Sequence, residues 1–131
     1  MPTSIAVANQ PRRILLVDDE INQVSILRAG LSKLPDCQIV IATNAPEALA
    51  LCAQQPFDLM ITDYRMPEMD GLTLASLVHE RYPATRIIML TAHGGEMLDE
   101  GAAHSAQVVL EKPIDIKHIR EAALHALAAL P

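Results

Sequence analysis

The chain has 131 residues, half of them apolar, and its 16 acidic and 10 basic side chains give a formal charge of −6. This length fits one domain and leaves no room for a second. The acidic balance argues against direct nucleic-acid binding, and no apolar run reaches the roughly 18 residues of a membrane-spanning helix, so we expect a cytoplasmic protein that makes no membrane contact.

The first twelve residues carry no apolar periodicity and are predicted to form a disordered lead-in. They also lack the basic start and the long apolar stretch of a signal peptide. We therefore divide the chain into a lead-in at 1–12 and one domain at 13–131.

Five strand-like apolar runs follow, and a helical pattern comes after each of them. The strands are predicted at 14–17, 38–43, 57–62, 86–90 and 108–110. The first helix is predicted from the shared face of Val24, Leu27, Leu31 and Leu34, and the others are predicted at 46–54, 71–82, 96–104 and 115–130. The helix at 96–104 is weaker because Gly101 interrupts it.

Continuous apolar strands that alternate with helices indicate a parallel sheet covered on both faces, because each right-handed crossover carries a helix. We predict an α/β, flavodoxin-like, doubly wound sheet of five parallel strands in the order 2-1-3-4-5. A larger dinucleotide-binding arrangement is disfavoured because no G-x-G-x-x-G follows the first strand. Asn44 and Asp70 are predicted to cap the helices that they precede.

Reactive polar side chains follow four of the predicted strands. They are Asp18 and Asp19 after the first strand, Asp63 after the third, Thr91 after the fourth and Lys112 after the fifth. Ligands of such sheets bind beyond the carboxyl ends of the strands, so these side chains are expected to converge. Alone, Asp18 and Asp19 are explained equally well as a helix cap. With Asp63 they form a cluster that would repel itself unless a hard divalent cation such as Mg²⁺ neutralised it.

Asp63 is the predicted nucleophile of this cluster. It stands where a buried strand runs into a loop shaped by a proline and a glycine, so we expect its carboxylate to be exposed enough to attack phosphorus. The hydroxyl of Thr91 and the ammonium of Lys112 would stabilise the charge on a transferred phosphoryl group. Pro113 permits a cis peptide bond that would aim Lys112 inward.

Four short motifs occur in order along the chain. They are Leu16-Val17-Asp18-Asp19-Glu20, the segment from Asp63 to Gly71 with its M-P-x-M-D-G ending, Leu90-Thr91-Ala92 and Lys112-Pro113. Each motif alone is weak, but the ordered set is highly specific. The chain resembles a receiver domain of the two-component response regulators, of the type found in chemotaxis regulators, from residue 13 to the end of the last predicted helix.

The resemblance implies that Asp63 accepts a phosphoryl group from a phosphohistidine on a sensor histidine kinase or a phosphotransfer protein. It implies that Thr91 and Lys112 contact the phosphoryl oxygens. The implied Mg²⁺ ligands are Asp18, acting mainly through water, Asp19, Asp63 and the backbone carbonyl of Arg65.

The resemblance also implies a signalling module and not an enzyme, since self-phosphorylation and slow autodephosphorylation are its whole chemistry. The signal would pass to an unknown downstream protein through the face formed by the fourth predicted helix, the fifth strand and the last helix. Pairing with a second copy of the chain is left open by the sequence.

Two features depart from or modulate the family pattern. In the family, an aromatic residue swings inward when the residue at the position of Thr91 moves. This chain has Val109 at the aromatic position, and valine has no ring and a stiff χ1. Gly94, Gly95 and Gly101 weaken the helix that is predicted between Thr91 and Lys112. We therefore hypothesise that residues 94–106 signal by a change of order instead of a ring rotation. Arg65 and His93 occupy positions that flank the path of attacking water and are predicted to tune the lifetime of the acyl phosphate.

Three other functions compete with a phosphoacceptor module. A degenerate receiver that serves as a phosphorylation-independent protein-binding scaffold ranks below it because every acidic, hydroxyl and lysine position is intact. A phosphohydrolase with an aspartate nucleophile would need a second aspartate two residues after Asp63, where this chain has Arg65. Flavin or nucleotide binding would need a glycine-rich loop after the first strand.

Overall fold

The computed structural model describes residues 11–66, 69–92 and 108–128. Five strands and four helices lie within them. The strands are β1 (Arg12–Val17), β2 (Cys37–Ala42), β3 (Leu59–Asp63), β4 (Arg86–Thr91) and β5 (Val108–Glu111), and the helices are α1 (Ile21–Leu31), α2 (Ala45–Gln54), α3 (Gly71–Arg81) and α4 (Ile116–Ala128). No helix in this part of the chain is long and apolar enough to cross a membrane.

The predicted elements are confirmed with small shifts at their ends, except for two stretches. The predicted helix at 96–104 and most of the predicted lead-in lie outside the described residues. The lead-in prediction is wrong for Arg12, which belongs to β1. Its backbone N–H donates to the carbonyl of Asp36 at 2.8 Å, because pairing with β2 extends the strand beyond its apolar residues.

The five strands form one sheet in the order β2-β1-β3-β4-β5, and every neighbouring pair is parallel. The predicted flavodoxin-like topology is therefore confirmed. β2 lies on one side of β1, whereas β3, β4 and β5 lie on the other side. The strand order therefore reverses at β1. The crevice beyond the carboxyl ends of β1 and β3 is where such sheets bind ligands.

The core consists of two apolar layers, one on each face of the sheet. Successive strand residues point to opposite faces, so Leu15 and Val17 enter one layer while Ile14 and Leu16 enter the other. The first layer packs against α2 and α3, and the second packs against α1 and α4. This double cover explains why β3 is buried along its whole length and carries no polar alternation.

Side-chain caps fix the starts of α2 and α3, as predicted. Asn44 accepts a hydrogen bond from the N–H of Glu47, and Asp70 accepts one from the N–H of Thr73, each at 2.8 Å. Gly71 begins α3 directly against the end of β3, where a Cβ atom would collide with the carbonyl oxygen of Asp63. The glycine thus permits the close approach that holds the end of β3 in place.

Candidate functional site

Backbone hydrogen bonds continue past the ends of the strands and fix the edge at which the polar residues lie. The N–H of Asp18 donates to the carbonyl of Ala42 at 3.1 Å, and the N–H of Lys112 donates to that of Thr91 at 2.7 Å. The N–H of Tyr64, next to Asp63, donates to Leu90 at 2.8 Å. The residues at the ends of three separate strands are therefore held in place by backbone hydrogen bonds that continue the sheet.

Three carboxylates meet at this edge, as the sequence predicted. Asp18, Asp19 and Asp63 each offer an oxygen atom, and these atoms lie within 4.8 Å of one another. Asp18 and Asp63 are buried, with 2% and 6% of their surface exposed, while Asp19 is open to solvent. Mg²⁺ binds oxygen ligands at about 2.1 Å and keeps several waters, so this half-open donor set fits it.

Burial raises the pKa of two of these carboxyl groups. The pKa of Asp18 rises from 3.8 to about 6, chiefly through loss of solvent, with a further increase from the charge on Asp63. The N–H of Glu20 opposes that rise by donating to the carboxylate. The pKa of Asp63 is also raised by burial, and Lys112 opposes the shift. The cluster is thus costly to hold fully charged, and a cation would relieve that cost.

Lys112 forms an ion pair with the predicted nucleophile. Its Nζ lies 2.6 Å from Oδ1 of Asp63, and the peptide bond between Lys112 and Pro113 is cis. The Asp63 side chain keeps 8% of its surface accessible and is less exposed than its place at a strand end suggests, and its ability to attack phosphorus stays a prediction. Thr91 is buried at the end of β4, one residue beyond Leu90, which pairs with Asp63.

A family model, the response regulator receiver domain, matches residues 14–124 of this chain. The chain belongs to the response regulator receiver domain family. The receiver is a signalling module of two-component systems, and the three aspartates at its sheet edge form an acidic cluster that is consistent with such a site.

Relatives of this receiver include both long and short proteins. It is 34% identical over 117 residues to the response regulator protein PilR of Pseudomonas aeruginosa, which covers 88% of this chain and 26% of that protein. It is 33% identical over 122 residues to the probable chemotaxis protein CheY of Rhizobium etli, which covers 90% of this chain and 94% of that protein. The receiver therefore spans about a quarter of PilR and nearly all of the CheY protein.

Among solved structures, the response regulator protein TrrA of Thermotoga maritima, in complex with Mg²⁺ and BeF, is similar to this receiver. The two share 29% sequence identity at a TM-score of 0.80, over 88% of this chain and 99% of that chain. The fold of this receiver is therefore similar to one that has been solved with Mg²⁺ and BeF bound.

The remaining predicted residues of the receiver occupy more peripheral places. Arg65 is exposed, and its guanidinium carbon lies 5.7 Å from the centre of the Tyr64 ring. Val109 lies in β5 with 37% of its surface exposed. His93 lies outside the described residues. The metal, phosphoryl, tuning and switch roles predicted for the site residues stay predictions.

One polar residue of the receiver's site was missed by sequence reasoning. The amide nitrogen of Gln23, in the first turn of α1, donates to Oδ2 of Asp18 at 2.8 Å. The residue had no signal of its own because a glutamine in a helix is ordinarily a solvated surface residue. Its position five residues after Asp18 was the available clue, since the first turn of α1 begins beside the end of β1.

Proposed function

We propose that this receiver domain is a phosphoacceptor signalling module of a two-component system. Asp63 accepts a phosphoryl group from a phosphohistidine on a sensor histidine kinase or a phosphotransfer protein. The observation that supports this best is the convergence of Asp63, two further carboxylates and the Lys112 ammonium at one sheet edge. The proposal includes the cytoplasmic location expected from the sequence.

The chemistry is an in-line transfer to a carboxylate. An oxygen of Asp63 forms a bond to phosphorus while the bond from phosphorus to the donor imidazole breaks, and the imidazole leaves with the electron pair and gains a proton. Lys112, already 2.6 Å from Asp63, then pairs with a phosphoryl oxygen, and the Thr91 hydroxyl donates to another. The ion pair between Lys112 and Asp63 thus already places the ammonium where the negative charge of the phosphoryl group would arrive.

The site is also proposed to hold Mg²⁺ through Asp19, Asp63 and the backbone carbonyl of Arg65, with Asp18 acting through water. When bound, the cation supplies positive charge that offsets the carboxylates and the phosphoryl oxygens. The donor chemistry agrees with this choice, because Asp18, Asp19 and Asp63 all present carboxylate oxygens within 4.8 Å of one another.

The phosphorylated state ends when water attacks phosphorus, the bond from phosphorus to the Asp63 oxygen breaks, and inorganic phosphate leaves. Arg65 and His93 are proposed to set the rate of this step from positions beside the path of the water. Between the two reactions the dianionic group biases the surface formed by the predicted helix at 96–104, β5 and α4, which an unknown downstream protein recognises. The module has no further catalytic activity in this proposal.

The test is incubation with Mg²⁺ and acetyl phosphate, followed by intact-mass measurement of the wild type and of Asp63→Asn. We expect the wild type to gain one phosphoryl mass and the variant to gain none, because the amide is a far weaker nucleophile than the carboxylate. Equal labelling of both proteins, or no labelling of the wild type, would refute the proposal.

A second candidate function is a phosphorylation-independent binding scaffold. Val109 favours it, since a half-exposed valine in β5 has no ring to transmit a phosphorylation signal. A downstream partner that bound wild type and Asp63→Asn equally well, with and without beryllofluoride, would establish the scaffold and displace the first candidate.

A further inference from the structure

The first turn of α1 is tied to the candidate metal site through one carboxylate. Within the described part of the chain, the N-cap residue Glu20 provides no side-chain hydrogen bond to the helix. Asp18 instead contacts the backbone of this N-cap residue and one side chain of the first turn. Its Oδ1 accepts from the backbone N–H of Glu20 at 2.9 Å, and its Oδ2 accepts from the Gln23 amide nitrogen at 2.8 Å.

These two hydrogen bonds fix the plane of the Asp18 carboxylate. One donor holds each oxygen, and each oxygen keeps a lone pair for another partner. Asp18 is almost fully buried, so its orientation is set by protein groups and not by bulk solvent. Gln23 itself presents the amide nitrogen toward Asp18, and a nitrogen that donates hydrogen bonds does not bind a cation.

We propose that Gln23 is a positioning residue for the cation site. It holds the Asp18 carboxylate in the orientation that the cation or its bound water meets, and it thereby couples occupancy of the site to the order of the first turn of α1. This inference rests on the proposed Mg²⁺ site. Partners that orient metal-binding groups typically contribute about 10–100-fold to metal affinity.

The coupling runs in both directions. If the contact between Gln23 and Asp18 strengthens cation binding, cation binding strengthens that contact by the same factor. Gln23 lies in the helix that carries the exposed side chains of Ile21 and Ile26. The stability of α1, which presents these side chains, is therefore expected to change with occupancy of the site.

The first experiment measures Mg²⁺ affinity by calorimetry, without a phosphodonor, for wild type, Gln23→Met and Gln54→Met. Methionine keeps the length of glutamine and its helix propensity but donates no hydrogen bond. We expect Gln23→Met to bind Mg²⁺ about 10-fold more weakly than the wild type. Gln54 is exposed at the end of α2, so Gln54→Met should bind as the wild type does.

A second readout separates positioning from a merely structural role. Amide exchange over residues 21–25 is measured with EDTA and with saturating Mg²⁺. Protection in the wild type should rise with Mg²⁺, and that rise should be clearly smaller in Gln23→Met. A structural role alone would lower protection equally in both conditions. If Gln23→Met folds poorly, Gln23→Asn, whose amide is one methylene shorter, takes its place and should also weaken Mg²⁺ binding.

Equal Mg²⁺ affinity in wild type and Gln23→Met would overturn this inference, and so would tighter binding by the variant. Either result, together with normal phosphoryl gain by the wild type, would leave the proposed function intact. Absence of Mg²⁺ binding by the wild type would overturn both proposals. Absence of phosphoryl gain with a normal Mg²⁺ titration would refute the proposed function while the affinity ratio supported the role of Gln23.

Discussion

At the scale of single residues, the site combines charges that oppose one another with one ammonium that relieves them. Burial raises the pKa values of Asp18 and Asp63, whereas Lys112 and the N–H of Glu20 favour the charged forms. Neither effect is visible in a list of residue types. Both follow from the fact that the carboxylates stand at the end of a sheet whose two faces are covered by helices.

The raised pKa of Asp18 predicts that the metal-free protein becomes more stable as the pH falls from 7 to about 5. Between the unfolded value of 3.8 and the folded value of about 6, the folded state binds more protons than the unfolded state, so stability decreases as the pH rises through this window. The effect is on the order of 1–3 kcal/mol. Urea unfolding in EDTA at a series of pH values measures it.

Asp18→Asn is the control for that pH series. Its amide does not titrate, so the gain in stability toward pH 5 should shrink in the variant. Saturating Mg²⁺ should reduce the gain in the wild type as well, because the cation favours the charged carboxylate. A pH profile that is identical for wild type and variant would contradict the assignment to Asp18.

At the scale of elements, the junction between β3 and α3 holds the proposed nucleophile in place. Gly71 leaves no space for a Cβ atom against the backbone of Asp63 and Tyr64, and its N–H donates to the Tyr64 carbonyl at 2.6 Å. The backbone here has no rotamer by which to move aside. Tyr64 and Gly71, at the two ends of the loop that follows the nucleophile, are therefore held by a close contact between two backbone segments.

Gly71→Ala should lower the free energy of unfolding by about 2–3 kcal/mol more than Gly30→Ala does. A Cβ atom at Gly71 meets backbone atoms, whereas one at Gly30 meets the Ile116 side chain, whose nearest atom would be 2.5 Å away. A side chain adjusts at lower cost than a strand end that belongs to a hydrogen-bonded ladder. Chemical denaturation of the two variants measures the difference, and similar losses would contradict the proposed rigidity of the junction.

At the scale of the whole molecule, the sheet connects the site to the surface that we propose to carry the signal. β5 is the edge strand on the β4 side, and its residue Val109 is half-exposed. Lys112 follows β5 directly and reaches Asp63 at the end of β3, so one short segment joins the proposed nucleophile to the edge of the domain. A change at Asp63 thus has a direct path to β5 that needs no aromatic ring.

Beryllofluoride with Mg²⁺ should change amide exchange across residues 94–106, as the hypothesis of a change in order requires. Exchange in the buried strands β1 and β3 should stay slow and serves as the internal control. The same measurement on Asp63→Asn should show no response. Unchanged protection of residues 94–106 in the wild type would exclude this mode of signalling.

Much of the architecture follows from the sequence because apolar periodicity is a local property. The apolar runs at 14–17 and 57–62 predicted strands buried on both faces, and the residues that end such runs predicted which strand ends carry Asp63, Thr91 and Lys112. Arg12 was assigned wrongly because its place in β1 depends on the neighbouring strand β2 and not on its own side chain.

The sequence by itself determined the class of fold, the residues at the strand ends and the family to which they belong, because spacing and residue type carry that information. The tertiary structure alone decided that Lys112 covers Asp63, that Asp18 is buried with a raised pKa, and that Gln23 reaches it from α1. The first two facts depend on distances between segments far apart in the chain, and the third depends on how α1 begins beside the end of β1. Such distances arise only when the helices close over the sheet and remove the carboxylates from water.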